Sequence, residues 1–257
     1  MISLWTAATG MESMKFKIEV IANNLANTNT DGFKRTEVDF SDLLYQYKRN
    51  PTTQDNPTGV SVGLGVKVAG TNIQHKQGSL KVTENQMDLA INGPGFLKFK
   101  DPISGNDVYS RNGAIKQDDQ GKFVSPQGLI LDPPITLSIE QQFSHVSEDG
   151  RVWVRQAGTG ILNQLGQMQL SNFPNPAGLQ AIGNSGYIIT AASGAEIVGQ
   201  PKQNGLGSLV SGSLEASNVE IVHEMVDLIS TQKAFDTNSK AITVSDKMMD
   251  TANNLTR

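Results

Sequence analysis

Residues 217–257 read SNVEIVHEMVDLISTQKAFDTNSKAITVSDKMMDTANNLTR, a run with no Pro or Gly. Ile221, Met225, Leu228, Phe235, Ile242 and Met249 mark one face, and Val222, Val226, Ile229, Ala234, Ala241, Met248 and Leu255 broaden it. That period belongs to an α-helix with one apolar side. Ser217 followed by Glu220 fits a capping box, in which hydroxyl and carboxylate satisfy backbone donors left over at a helix start, so the helix is expected to begin there. At 1.5 Å per residue such a helix is roughly 55 to 60 Å long. A compact body of about 140 residues has a radius of gyration of only about 14 Å, so much of the helix is expected to protrude.

The front of the chain is written the same way. Leu4, Ala8, Met11, Ile18, Ala22 and Leu25 follow steps of three and four, with Lys15 as the polar intruder, and Trp5, Met14 and Ile21 widen the stripe. Asn23, Asn24, Asn27, Thr28, Asn29, Asp31 and Gly32 then tolerate left-handed backbone and favour local turns, so this helix is expected to stop near Asn27. Lys15, Gln232, Ser239 and Asp246 dilute the two seams, which suits segments that stay soluble until neighbouring copies cover them.

Between the ends the pattern changes to strands at 66–68, 79–82, 96–99, 122–124, 129–131, 152–154, 167–170 and 187–189. Asn92-Gly93, Asn112-Gly113 and Asp149-Gly150 are dipeptides that supply positive φ in tight hairpins, and residues 118–121 read as a longer loop. Residues 45–65, with Pro51 and Pro57, favour extended or turn conformations and read as a surface excursion. Pro201, Gly205 and Gly207 lie in a hinge-like stretch before the last helix. The expected architecture is therefore mixed: long N- and C-terminal helices forming a coiled-coil-like stalk, and a central β-rich domain. The segments are 1–29, an N-terminal assembly helix; 30–70, an extended linker and excursion; 71–213, the β domain with its hinge; and 214–257, a C-terminal assembly helix.

The 257 residues are 37% hydrophobic and 18% charged, enough for one or two packed domains but lean for a chain that buries everything alone. A formal net charge of −4 argues against a nucleic-acid footprint. The absence of Cys excludes disulfides, thiolate metal sites and Cys nucleophiles. No apolar run is long enough to span a bilayer, and the N-terminus lacks the basic and apolar regions of a secretory signal.

No catalytic, cofactor or metal site emerges. His223-Glu224 opens like a zinc-protease helix, but Asp227 stands where the second His is needed. His75 and His145 have no partners at ligand spacing. The pairs Gly63/Gly65, Gly93/Gly95, Gly158/Gly160 and Gly205/Gly207 lack the third Gly of a dinucleotide fingerprint. Asp118 and Asp119 are what a polar hairpin tip uses, although a convergent carboxylate pair would be the requirement for a rival reading as a secreted polysaccharide hydrolase.

The residues at 22–27, Ala-Asn-Asn-Leu-Ala-Asn, followed by Thr30, Asp31, Gly32, Phe33, Lys34 and Arg35, resemble the N-terminal signature of the bacterial flagellar rod and hook family. Ser217, Asn218, Val219, Glu224, Val226, Ile229, Gln232, Ala234, Asn238, Ser239, Lys240 and Ile242 resemble its C-terminal helix pattern. Gln77-Gly78-Ser79-Leu80, residues 88–93, Gly95-Phe96 and residues 109–113 resemble its central segment, so the likeness covers nearly the whole chain. The opening residues, residues 42–46 and the Pro-rich excursion look most like members that build the distal rod, with proximal-rod and hook-junction members as the alternative. Lys233, Phe235 and Asp236 depart from the Arg, Tyr and Glu common there; Lys lacks the bidentate guanidinium fork and Phe has no hydroxyl.

The resemblance implies a structural protein without an active site or cofactor, exported partly unfolded by the flagellar export apparatus and polymerised with copies of itself into a torque-transmitting rod across the periplasm. It implies contacts with the hook protein, proximal rod proteins and the P- and L-ring proteins, and neither membrane insertion nor nucleic-acid binding. The N-terminal assembly residues would be Leu4, Trp5, Ala8, Met11, Ile18, Ile21, Ala22, Asn23, Asn24, Leu25, Asn27, Gly32 and Phe33. At the other end they would be Val222, Met225, Val226, Leu228, Ile229, Gln232, Phe235, Asn238, Ile242 and Met249, with Tyr45, Pro51, Pro57 and Gly63 in a rod-stiffening segment.

Overall fold

A computed structural model describes residues 2–49, 59–138, 140–157 and 160–255. Pro51 and Pro57 lie outside the described residues. The chain forms two compact units, one built from residues 1–26, 36–73 and 220–257, the other from 27–35 and 74–219.

The first unit holds both helices, α1 (Ile2–Ala26) and α2 (Ile221–Leu255), with strands β1 (Thr36–Asp42), β2 (Tyr45–Arg49), β3 (Val60–Gly63) and β4 (Val66–Ile73). β1 pairs antiparallel with β4 and β2 with β3, so the excursion leaves and returns as a hairpin. α1 ends one residue short of Asn27, as the Asn-rich turn requires. α2 starts four residues later than the capping-box pattern implied. The Ser217 hydroxyl instead accepts the nearby Val219 N–H at 3.3 Å, and the Asn218 side chain is engaged by the Arg35 N–H and the Gln74 carbonyl, so 216–220 stay outside the helix.

The expected coiled-coil-like stalk is not formed. The helices run antiparallel along each other, Asn24 beside Glu224 and Gly10 beside Asn238. A coiled coil needs apolar knobs repeating along both seams. Here the buried positions of α1 are Ala7, Gly10, Ser13, Ile21 and Asn24, and those of α2 are Glu224 and Thr231, with Leu228, Phe235 and Ile242 half-buried on the same line, so polar and small residues interrupt the apolar ones. α1 also packs against β1 and β4, which places it between a helix and a strand pair rather than in a two-helix rope. The face marked by Leu228, Phe235 and Ile242 is the half-buried one, but Glu224, Thr231 and Asn238 share it, so its apolar repeat is broken.

The second unit is all β. Its strands are β5 (Leu80–Val82), β6 (Leu89–Asn92), β7 (Phe96–Lys100), β8 (Asp107–Ser110), β9 (Lys116–Gln117), β10 (Phe123–Val124), β11 (Ile130–Leu131), β12 (Gln141–Val146), β13 (Arg151–Gln156), β14 (Leu162–Gln167), β15 (Leu170–Asn172), β16 (Gln180–Gly183), β17 (Gly186–Ile188), β18 (Ile197–Gly199), β19 (Ser208–Ser211) and β20 (Ser213–Glu215). A nine-stranded sheet runs β16-β17-β8-β7-β11-β10-β9, with β15 added to β7 and β18 to β15. β12, β13 and β14 form a meander, and β6 pairs with β19. The core gathers Leu89, Ile91, Leu97, Phe99, Phe123, Val152, Val154, Leu170 and Leu209 from these sheets. β13 alternates, sending Val152 and Val154 inward, whereas Leu89, Ala90 and Ile91 of β6 are all buried, as in a strand covered on both faces. The stretch read as a hinge carries β19.

Gly113 departs from its expected role. Its φ is ordinary, but a Cβ there would stand 1.7 Å from the Leu89 carbonyl oxygen, so Gly is required for approach rather than for a left-handed turn.

Gly10→Leu is expected to wedge α1 away from α2, because even a Cβ would meet the Asn238 amide at 2.8 Å. The loss should be about 1–3 kcal/mol, read as a lowered midpoint in thermal circular dichroism. Gly10→Ala should be close to neutral, since Asn238 can turn aside and Ala gains about 1 kcal/mol of helix propensity.

Candidate assembly surface

The outer side of α2 is apolar at both ends. Val222 is 76% exposed, Val226 60%, Ile229 50%, Val244 55%, Met248 68% and Leu255 82%. Met225, Gln232 and Met249 are exposed as well, while Leu228, Phe235, Asn238 and Ile242 are half-buried towards α1. On α1, Trp5 is 64% exposed, with Ala8, Ala22 and Asn23 also at the surface. Leu4, Met11, Ile18 and Leu25 are half-buried, and Ile21 and Asn24 are buried. In the excursion Tyr45 is exposed and lies across from half-buried Gly63 in the β2–β3 ladder. The structure therefore divides the C-terminal residues between an exposed side and a half-buried one, and the N-terminal residues between surface and interior.

Asn24 does internal work. Its side chain accepts the Thr36 N–H at 3.0 Å and donates to the Thr36 carbonyl at 2.9 Å and to Glu224 at 3.2 Å. One side chain thus ties the end of α1 to the first residue of β1 and to the first turn of α2.

In the β unit the remaining signature residues converge on a carboxylate that the sequence reading passed over. Glu215 is buried; Lys34 Nζ donates to it at 2.5 Å, the Gly78 N–H at 2.9 Å and the Arg111 guanidinium at 3.0 Å. Its backbone carbonyl accepts the Gly32 N–H at 2.7 Å, which is why Gly32 is buried. Lys34 also reaches the Lys76 carbonyl, and Arg111 the Gly93 carbonyl. Burial pulls the Lys34 ammonium below its ordinary value and the Glu215 charge opposes that shift. Beside this cluster Asn218 accepts the Arg35 N–H at 2.7 Å and donates to the Gln74 carbonyl at 2.8 Å. Phe33 is half-buried and Asn27 closes a turn by accepting the Thr30 N–H. Glu215 could have been singled out only as a lone acid inside an apolar strand, a weak signal without its partners.

Among the described residues no helix is long and apolar enough to cross a membrane.

Three sequence families match in chain order: "Flagella basal body rod protein" over residues 4–34, "Flagellar hook protein FlgE/F/G D1 domain" over 90–154, and "Flagellar basal body rod FlgEFG protein C-terminal" over 210–255. These define the class as flagellar rod and hook proteins, as the motifs indicated. The chain is 43% identical to the flagellar basal-body rod protein FlgG of Borreliella burgdorferi, covering 100% of this chain and 99% of that one. It is 40% identical to the same-named protein of Caulobacter vibrioides and 33% identical to that of Bacillus subtilis, with 99% of both chains covered in each case. The chain belongs to the flagellar basal-body rod protein FlgG family. It is a structural subunit of the distal rod of the flagellar basal body, not an enzyme, and it assembles there with other flagellar components.

Glu215→Gln should leave Lys34 and Arg111 buried without their counter-charge and cost about 3–5 kcal/mol, measured by urea unfolding followed at the β-sheet signal. His75 supplies a pH signature: burial first, then the Lys34 and Arg111 charges, push its pKa down to about 4. The unfolded chain protonates this ring near 6.5. Its contribution to stability is therefore intact above pH 6.5 and lost as pH falls towards 4. His75→Phe, which keeps the edge contacts with Phe96 and Tyr187, should flatten that part of the urea-midpoint profile.

Proposed function

We propose that this chain polymerises with copies of itself into a hollow helical driveshaft that transmits torque to the hook, and that the terminal helices supply the contacts. The observation that carries the reading is the apolar outer side of α2, left uncovered by the chain's own fold. A surface that meets a different surface on the next copy, without closing a ring, builds an open helix. Each Val, Leu, Ile or Met fully removed from water contributes about 1.5–3 kcal/mol, so a few such residues per contact offset the loss of freedom on assembly.

The assembly residues in this reading are Trp5, Ala8 and Ala22 on α1 and Val222, Met225, Val226, Ile229 and Met249 on α2, with the 1–29 and 214–257 segments as the assembly ends. Half-buried Leu228, Phe235 and Ile242 set the α2 angle from inside. The excursion carrying Tyr45 and Gly63 stiffens the rod. Its exposed Leu44, Tyr45 and Tyr47 support a contact with neighbours. The further partners are the hook protein, proximal rod proteins, P- and L-ring proteins, and the export apparatus that delivers the chain.

Val222→Asp combined with Val226→Asp should abolish polymers in sedimentation while leaving circular dichroism unchanged, because both side chains face solvent in the folded chain. Polymers that persist in this variant would remove the α2 surface from the assembly. Shortening residues 45–65 should leave folding intact and alter rod straightness in electron micrographs.

A further inference from the structure

The two helices differ in length, 25 residues against 35, and their antiparallel register shows where the surplus falls. Gly10 faces Asn238; eight residues back from Gly10 is Ile2, where α1 begins, and eight on from Asn238 is Asp246. The α2 residues after about 246 therefore have no α1 residue opposite them, an overhang of roughly 15 Å at 1.5 Å per residue.

The outer side of α2 follows one line of helical neighbours: Val222, Val226, Ile229, Lys233, Thr237, Lys240, Val244, Met248, Thr251 and Leu255. That line is apolar at the start, solvated in the middle and apolar again across the overhang. All ten residues are exposed. Val244, Lys247, Met248, Thr251 and Ala252 form an open, mostly apolar surface at this end of α2. A helix covered along its whole outer side would not be expected to place Lys233 and Lys240 at the centre of that side, whereas two sticky ends leave the middle in water.

Resting on the self-assembly reading, we propose that the overhang of one copy docks on the Val222–Val226–Ile229 patch of the next, so that neighbouring α2 helices overlap end against start. The occupant is a second copy because both patches are apolar, about 10 Å long at Val222–Ile229 and roughly 15 Å long at the overhang, and lie at opposite ends of one helix, where they cannot meet within a molecule. The overlap also sets the negative C-terminal end of one helix macrodipole beside the positive N-terminal end of the next. Contacts of this kind are heterologous and propagate, unlike a two-fold contact between identical patches.

The chain has no Cys, so introduced thiols report the overlap directly. Val226 and Met248 are separated by 22 positions on one helix, about 33 Å. A disulfide requires Cα atoms roughly 4.4–6.8 Å apart, so a 226–248 bond can form only between molecules. In polymers verified by electron microscopy, oxidised V226C/M248C should run as a ladder of dimers, trimers and longer species on a non-reducing gel. A mixture of the two single variants should stop at dimers. I229C/M248C, one turn away, tests a shifted register, and K233C/M248C should give no ladder. The proposal is overturned if polymers form but neither the 226 nor the 229 pair ladders, if K233C/M248C ladders equally, or if M248C alone gives homodimers as its main product. A wild-type chain that stays monomeric at every concentration overturns the self-assembly reading along with it.

Discussion

The buried carboxylate of Glu215 is the constraint around which the β unit is organised. A charge taken out of water persists only where counter-charges and donors surround it. Here Lys34, Arg111 and the Gly78 N–H do so. These groups come from segments more than a hundred residues apart in some cases, so the network can form only when the chain has returned to the same place. Because Lys34 lies two residues before β1 and Glu215 six residues before α2, the requirement also controls where the chain leaves the β unit at both points. Asn218 adds a second fastening next to it, joining Arg35 and Gln74.

This gives physical content to motifs that would otherwise be only a signature. Gly32 and Lys34 in the N-terminal motif and Gly78 and Arg111 in the central segment all touch Glu215. Asn24 plays the equivalent part in the helical unit, where one amide satisfies both backbone groups of Thr36 and reaches Glu224. Polar residues are thus spent on closing the subunit, which leaves apolar residues available outside it.

The same logic explains the missing coiled coil. Gly10 lets α1 approach Asn238 of α2 closely, and Val222 and Val226 on the other side of α2 face water. Had the apolar stripes paired within the chain, the interior would have been more hydrophobic and the exterior would have had nothing to offer a neighbour. The unequal helix lengths then put part of the apolar surface beyond the reach of α1 altogether.

Much was legible in the residues alone. Two helices at the ends, a β-rich middle, strands such as 96–99 and 152–154, and the rod family itself follow from local information: helical period, the absence of Pro and Gly after Ser217, alternation in β13, and short motifs. Ser13, Asn24, Glu224 and Thr231 were not legible as interior positions, because polar residues become interior only when a distant partner satisfies them, and periodicity ranks residues by hydropathy alone. Nor was Glu215, whose importance lies in three partners brought from remote positions. The start of α2 was misjudged for the same reason, since Asn218 bonds to Gln74 and Arg35 instead of serving the helix. Local chemistry decided which segments are helix or strand; long-range burial of charge and close backbone approach decided which surfaces they turn inward and which they leave exposed.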